Sequence, residues 1–419
     1  MNWLCCQLGA REHYAIPRSL FRLGTLNWLV TDAWIPPSSL LAKISAGSLA
    51  DRFHNELSDA RVMAFNPSVI LFEMLARARR LGELETIIAR NQWFQRKVVG
   101  ALNSVKERRS HGALRSQLST LTYEPILLSY SYAALEPFRF AKLRGWKTLL
   151  LQIDPGPEEE RIVAEEVARV PALTGNWQPA PAEYWASWRQ ECDLADRVVV
   201  NSEWSLEGLV RSGIRREKLS VIPLAYELEV GSGRLTEPRL QRKYPDHFTQ
   251  ERPLRVLFLG QANLRKGVAR LLEAARMLRG EPVEFWIVGP VQIANASTIA
   301  DNVWVKWFGP ATRKQAAENY TNADVFILPT LSDGFAITQL EAQAYGLPVI
   351  SSKCCGGVVE SGRNGMILEE PSAVCIATAV RDCIADPDRL RQFAGASRVP
   401  EGFTIDALAQ RLEQLGSAL

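Results

Sequence analysis

Two acids with seven residues between them, Asp333 and Glu341, bracket the stretch Ser332-Asp333-Gly334-Phe335-Ala336-Ile337-Thr338-Gln339-Leu340-Glu341. The apolar run 325–329 precedes it and 349–350 follows, so the order reads strand, loop, helix, strand. A helix opening near Ala336 offers unpaired backbone amides and the positive end of its dipole to whatever lies above the loop, which favours phosphate. Asp333, ahead of the helix, can reach hydroxyls beside the phosphate, and Glu341, about one and a half turns further in, can face a second polyol such as ribose. The chemistry that such residues support is the holding of a sugar joined to a nucleotide. Plainer uses exist for both acids: Asp333 can cap the helix and Glu341 can be a solvated helix residue. Spacing alone does not choose between the uses, but the neighbouring motifs do.

The segment Leu259-Gly260-Gln261-Ala262-Asn263-Leu264-Arg265-Lys266-Gly267 is a turn with glycine near both ends that enters a helix. Glycine permits close backbone approach, and Lys266 offers a mobile ammonium to a diphosphate leaving group. Cations at a helix start are unfavourable unless an anion binds there. Arg265 is expected to point to solvent. Val288-Gly289-Pro290 and Trp307-Phe308-Gly309-Pro310 end two further strands, where Gly289, Phe308 and Gly309 can edge a nucleobase or simply make turns.

The elements that must position these residues are strands alternating with helices. Strands are expected at 3–8, 26–31, 62–65, 126–131, 148–154, 198–202 and 219–224, then at 255–260, 284–289, 303–308, 325–328 and 349–351. Most are apolar on both faces, which implies parallel sheets covered by helices on both sides. Long amphipathic stretches occupy 70–107 and 181–195, with further helices at 267–278 and 311–320. At 419 residues the chain exceeds what one core usually serves. The expected organisation is α/β: two Rossmann-like, doubly wound domains facing across a cleft, at 1–228 and 229–400. The polar stretch 229–252 is the expected linker, and 401–419 is a C-terminal helix able to pack back on the first domain. Ligands of such sheets sit at the carboxyl ends of the strands.

Composition narrows the class. The hydrophobic share of 47% and charged share of 23% are those of a folded globular protein. A net charge of +3 leaves no electrostatic footprint for nucleic acid. Seven cysteines, an odd number without C-x-x-C or Cys/His zinc spacing, fit a reducing compartment and no structural metal. No stretch approaches the 18 apolar residues of a membrane span, and the first residues lack a signal peptide's basic region. The expected location is therefore cytoplasmic. Ten Lys/Arg against three Glu over 77–115, interleaved with Trp93, Phe94, Val98 and Val99, can lie peripherally on the anionic inner face of the cytoplasmic membrane, or be a solvated helix face.

Segments 258–267 and 324–350, with Cys355-Gly356-Gly357-Val358-Val359-Glu360-Ser361-Gly362-Arg363-Asn364-Gly365, resemble the second domain of retaining glycosyltransferases of the family-4 type, the glycosyl transferases group 1, which have the GT-B fold. The resemblance is specific over 255–371. It is looser at Val199-Val200-Asn201-Ser202-Glu203, Val221-Ile222-Pro223 and the opening loop Gln7-Leu8-Gly9-Ala10-Arg11-Glu12. It implies a nucleotide diphosphate sugar as donor substrate, no required cofactor or metal, and a glycan, lipid-linked or small-molecule acceptor. By the same resemblance Asp333 would bind the donor sugar's hydroxyls, with Lys266 the second catalytic residue, neutralising the diphosphate. Glu341 would bind ribose, the amides of 334–337 would hold sugar and phosphate, and Gly9 and Ala10 would approach from the facing domain.

Three positions depart from that pattern. Asp333 is one methylene shorter than the family's glutamate, Gln261 stands where an arginine is usual, and Asp154 stands near the family's histidine. His13, beside the opening loop, is the one histidine placed to substitute, and a plain surface histidine is the favoured alternative. A non-catalytic nucleotide-sugar sensor on the same fold is the alternative that Gln261 and Asp333 motivate; a glycan phosphorylase is disfavoured because no lysine suited to pyridoxal phosphate stands out. Asp386-Pro387-Asp388 mimics a metal-binding D-x-D, but Pro387 suits a first helical position with Asp386 as its cap.

Overall fold

The computed structural model describes residues 2–39, 52–110, 125–227, 229–230, 233–234, 242–295 and 304–419. Seven strands form the first sheet: β1 (Trp3–Gln7), β2 (Leu26–Thr31), β3 (Val62–Ala64), β4 (Ile126–Tyr130), β5 (Lys147–Gln152), β6 (Arg197–Val200) and β7 (Leu219–Val221). Their order is β3-β2-β1-β4-β5-β6-β7, and every pairing is parallel. After a short antiparallel ribbon, β8 (Glu229–Val230) with β9 (Gly233–Arg234), a second all-parallel sheet follows. It comprises β10 (Leu254–Leu259), β11 (Val283–Val288), β12 (Val305–Gly309), β13 (Val325–Leu328), β14 (Val349–Ser351) and β15 (Gly365–Ile367). The order is β12-β11-β10-β13-β14-β15.

Each sheet reverses its winding at one place: between β1 and β4 in the first, and between β10 and β13 in the second. A doubly wound sheet opens its ligand crevice outside the carboxyl ends at that reversal. The loops there are Gly9–Arg11 and Ser131–Ala134 in the first sheet, and the Lys266 turn and the Asp333 loop in the second. The two Rossmann-like sheets are those expected, and all twelve expected strands are present. The strand β15 and the ribbon within 229–252 are additions; the rest of that linker, at 231–232 and 235–241, lies outside the described residues.

Two helices differ from expectation. The stretch 70–107 is two helices, Asn66–Ala78 and Glu83–Ser110, parted by Arg80 in left-handed conformation (φ 52°) ahead of Gly82. Trp93, Phe94 and Val98 are buried in the first core, so those apolar side chains are spent on the sheet. The basic residues beyond 110 lie outside the described segment. The C-terminal helix, Ile405–Ser417, packs on Ala15–Arg22: Ile405, Leu408 and Leu412 enter the cluster holding Ile16 and Leu20, and Arg22 Nη1 bonds Asp406 Oδ1 at 2.8 Å. Asp386 caps Pro387–Ala396 by accepting from the Arg389 amide at 2.9 Å, so the D-x-D is a helix start. No helix among the described residues is long and apolar enough to cross a membrane.

Candidate active site

The site begins with a glycine whose place a side chain would not fit. Gly267 has φ 75°, and a Cβ there would lie 2.0 Å from the Pro329 carbonyl oxygen. This packs the Lys266 turn, after β10, directly on the end of β13. The Asp333 loop is held in turn by the Leu331 amide, which donates to the Arg265 carbonyl at 2.9 Å, and by the Asp333 amide on the Cys354 carbonyl at 2.9 Å.

Across that junction Lys266 Nζ donates to Asp333 Oδ2, and Arg265 Nη1 reaches the same oxygen at 3.2 Å. Asp333 is 8% exposed. Burial by itself would raise its carboxyl, yet the charges of Lys266 and Arg265 bring it down to about 2. Asp333 is thus an anion at any physiological pH. Arg265 does not point to solvent as expected. Its guanidinium also bonds the Ser332 carbonyl at 3.2 Å and lies 3.6 Å from Glu159 Oε2 of the first domain.

The helix of the motif starts two residues later than expected, at Thr338, and runs only to Ala344. Ala336 adopts φ 62°, left-handed and non-glycine, a conformation that costs roughly 1–2 kcal/mol. The loop therefore turns once more before the helix. Phe335 donates its amide to Asp333 Oδ1 at 3.2 Å, while the amides of Gly334, Ala336 and Ile337 have no acceptor among the described residues. A seven-residue helix adds little dipole, so the positive charge here comes from Lys266 and Arg265.

Glu341 faces the cleft from that helix. Its Oε2 accepts from Tyr320 at 2.8 Å, and its Oε1 lies 3.9 Å from His13 Nε2 of the first domain. His13 sits in a left-handed turn of three non-glycine residues, Glu12, His13 and Tyr14, with φ 51°, 51° and 60°. Such strain persists only where packing imposes it. Tyr14 is buried against Trp34, with ring centroids 5.4 Å apart.

Other expected contacts are engaged differently. The Gly9 amide donates to Asp32 Oδ1 at 2.9 Å, and a Cβ on Gly9 would lie 2.8 Å from Arg52 Nη1. Its hydrogen is taken by a carboxylate, leaving the neighbouring Ala10 as the open residue of that loop. Gly289 donates its amide to the Gly309 carbonyl at 2.8 Å, which ties the strand ends together. Phe308 is exposed and lies 5.6 Å from Trp286, and Gln261 is exposed.

The sequence reading missed Glu159 and Ser332. Ser332 Oγ donates to Glu159 Oε2 at 2.9 Å and accepts from Trp204 Nε1 at 3.1 Å. First-domain residues thus grip the donor-side loop next to Asp333. Burial pushes the Glu159 carboxyl up to about 7, with Asp154 and Asp333 adding to the rise and Arg265 opposing it. Between the ordinary carboxylate range and about pH 7, the folded protein holds a proton that the unfolded chain has lost. Stability from this group is therefore greatest below pH 4.5 and declines as pH rises through about 7. Thermal unfolding of Glu159→Gln from pH 5 to 8 should show a flatter profile than that of the parent protein.

The family model described as Glycosyl transferases group 1 matches residues 253–386, which hold the Lys266 turn, the Asp333 loop and Glu341. That match falls within the second domain. Similarity to curated proteins includes 28% identity over 240 residues to D-inositol 3-phosphate glycosyltransferase of Corynebacterium kroppenstedtii, covering 52% of each chain. It also includes 23% identity over 235 residues to the capsular polysaccharide biosynthesis glycosyltransferase CapM of Staphylococcus aureus, covering 53% of this chain and 61% of CapM. The chain spans about half the length of the curated relatives it matches. Among solved structures, HepE of Anabaena with UDP and glucose superposes over 100% of both chains with a TM-score of 0.60 at 15% identity. Sucrose-phosphate synthase of Thermosynechococcus elongatus gives 0.61 at 16%, over 100% and 99%. The fold is GT-B. Among the described residues no three His, Cys, Asp or Glu side chains gather as metal ligands.

Proposed function

We propose that this chain is a retaining glycosyltransferase that moves a hexose from a nucleotide diphosphate sugar to a glycan, lipid-linked or small-molecule acceptor. The observation that supports it most is the meeting of Lys266, Arg265 and Asp333 at the winding reversal of the second sheet, with Glu341 on the same motif. Lys266 and Arg265 would take the diphosphate, whose two negative charges replace Asp333 as their principal partner. The free amides of Gly334, Ala336 and Ile337 would hold phosphate and sugar oxygens, Asp333 the sugar hydroxyls, and Glu341 the ribose. In transfer, the bond from the anomeric carbon to the diphosphate oxygen breaks and one to the acceptor oxygen forms on the same face. The acceptor's proton passes to the departing diphosphate, and the two cations stabilise the charge that develops there. No metal or cofactor is needed for that balance.

UDP is the first nucleotide to try, because HepE was crystallised with it. Titration calorimetry with UDP and UDP-sugars, followed by NMR of the product's anomeric proton, tests donor and stereochemistry together; an inverted product removes the retaining mechanism. Glu341→Ala should weaken UDP binding roughly 10- to 100-fold, the loss of a charged hydrogen-bond pair, and should also lower the melting temperature because the buried Tyr320 hydroxyl loses its acceptor. The sensor reading keeps one support: Gly9 and Gly289, both expected to touch donor, use their amides internally. Tight UDP-sugar binding without turnover on any acceptor would favour it.

Peripheral membrane contact is also proposed, now at the helix Asn66–Ala78. There Leu71, Met74 and Leu75 are exposed by 57%, 63% and 47% close to Arg77, Arg79 and Arg80. Co-sedimentation with phosphatidylglycerol vesicles, and not with phosphatidylcholine ones, is the expected result, with cytoplasmic residence on the inner face of the membrane.

A further inference from the structure

The first domain carries a cavity of about 340 Å³ between the helices Glu83–Ser110 and Ala182–Leu194 and the loop that follows β4. We propose that it binds a neutral, ring-shaped saccharide, the acceptor end of the transfer; the assignment rests on the glycosyltransferase reading above.

Three observations carry the assignment. The cavity is bordered by Tyr132 and Tyr184, stacked at 4.9 Å with 15° between their planes. Such a face matches the apolar C–H face of a pyranose and buries it at small entropic cost. Tyr132 is held at φ 72°, a conformation that a non-glycine residue keeps only where its surroundings impose it.

The polar lining is amide and hydroxyl rather than cationic. Asn91, Gln92 and Ser187 can each both donate and accept, as sugar hydroxyls do. Arg96 is the one cation among the lining residues, against Glu136, Glu183 and the buried Glu191. Glu191 is already engaged by the amides of Tyr132, Ala134 and Leu135 at 2.7–3.1 Å. A lining with that balance repels phosphate and carboxylate, which selects an uncharged ring.

A chain of contacts also links the cavity to the Asp333 loop. Tyr132 donates its hydroxyl to Asp154 Oδ1 at 2.6 Å, and the Gly156 amide bonds the same oxygen at 2.8 Å. The helix that starts directly after this turn carries Glu159, which grips Ser332 beside Asp333. The short segment 154–159 therefore connects Tyr132 of the cavity lining to the Asp333 loop.

Saturation-transfer NMR with cellobiose, maltose and glucose 6-phosphate, on the full chain with UDP present, tests the proposal. At least one neutral disaccharide should show transfer to its ring protons, and glucose 6-phosphate should show less. Tyr184→Ala should weaken that binding roughly three- to tenfold, and Ser187→Trp, which fills the cavity from a helix face, should remove it. Both variants should keep the parent affinity for UDP, which also reports that they fold. Absence of transfer from every neutral sugar, transfer unchanged in both variants, or preference for glucose 6-phosphate overturns the assignment. Failure of the parent protein to bind UDP would instead remove the glycosyltransferase reading, and is read in a separate titration.

Discussion

Gly334→Ala should bind UDP with nearly parental affinity and yet lose about 100-fold or more in transfer rate. The groups proposed to hold the nucleotide, Lys266, Glu341 and the backbone amides of 334–337, all belong to the second domain and move with it as one body, and an added methyl leaves the Gly334 amide in place. Gly334 is where the domains touch: a Cβ there would stand 1.9 Å from the Ile153 carbonyl oxygen and 2.9 Å from Asn201 Nδ2, both of the first domain. Its own carbonyl accepts from the hydroxyls of Ser202 and Ser205. A methyl group cannot be accommodated by a side-chain rotation, because its principal obstacle is backbone. The cleft must open by more than an ångström at the point proposed for the transfer, and water enters. Calorimetry with UDP and steady-state transfer kinetics separate the two effects. An unchanged rate would mean that transfer proceeds with the domains further apart than in this structure.

Local signals in the chain account for the sheets and for half of the site. Strands such as 126–131 and 349–351 are apolar on both faces and flanked by glycine, proline or polar residues, so their burial follows from composition alone. Lys266 and Asp333 could be paired by motif because each ends a strand beside the winding reversal. What escaped the reading was set by distant partners. Arg265 turns inward because Glu159, over a hundred residues earlier, meets it across the cleft; nothing next to Arg265 announces that carboxylate. Gly9 loses its amide to Asp32 for the same reason. Ala336 is left-handed without being glycine, so the extra turn that delays the helix to Thr338 had no residue to signal it. The break between the helices at 78 and 83 did have one, Gly82, but the continuous apolar period across it outweighed a single glycine.

Lys266→Ala should lower UDP affinity about 100-fold or more, the loss of charge-assisted hydrogen bonds to the diphosphate. Lys266→Arg should recover a large part, since charge and not shape is what a mobile ammonium contributes. In the free protein Lys266 is tied to Asp333, so the same substitution has a second consequence that does not involve donor. The depressed Asp333 carboxyl contributes stability that is present above its ordinary value near 3.8 and is lost as pH falls through about 2. With Lys266 removed, Arg265 is the remaining cation at 3.2 Å, the carboxyl moves up, and the stability that it contributes above pH 3.8 is smaller and is exhausted at a higher pH. Acid unfolding of Lys266→Ala should therefore begin at higher pH than that of the parent, while Asp333→Asn should show neither the depressed group nor a further shift when Lys266 is also removed. Non-additivity of the two substitutions in acid stability measures the pair, and UDP titration of the same proteins measures how much of Lys266 the donor must draw away from Asp333. If Lys266→Ala keeps both parental UDP affinity and parental acid stability, the cation cluster is not the diphosphate site and the transfer chemistry must be sought elsewhere in the cleft.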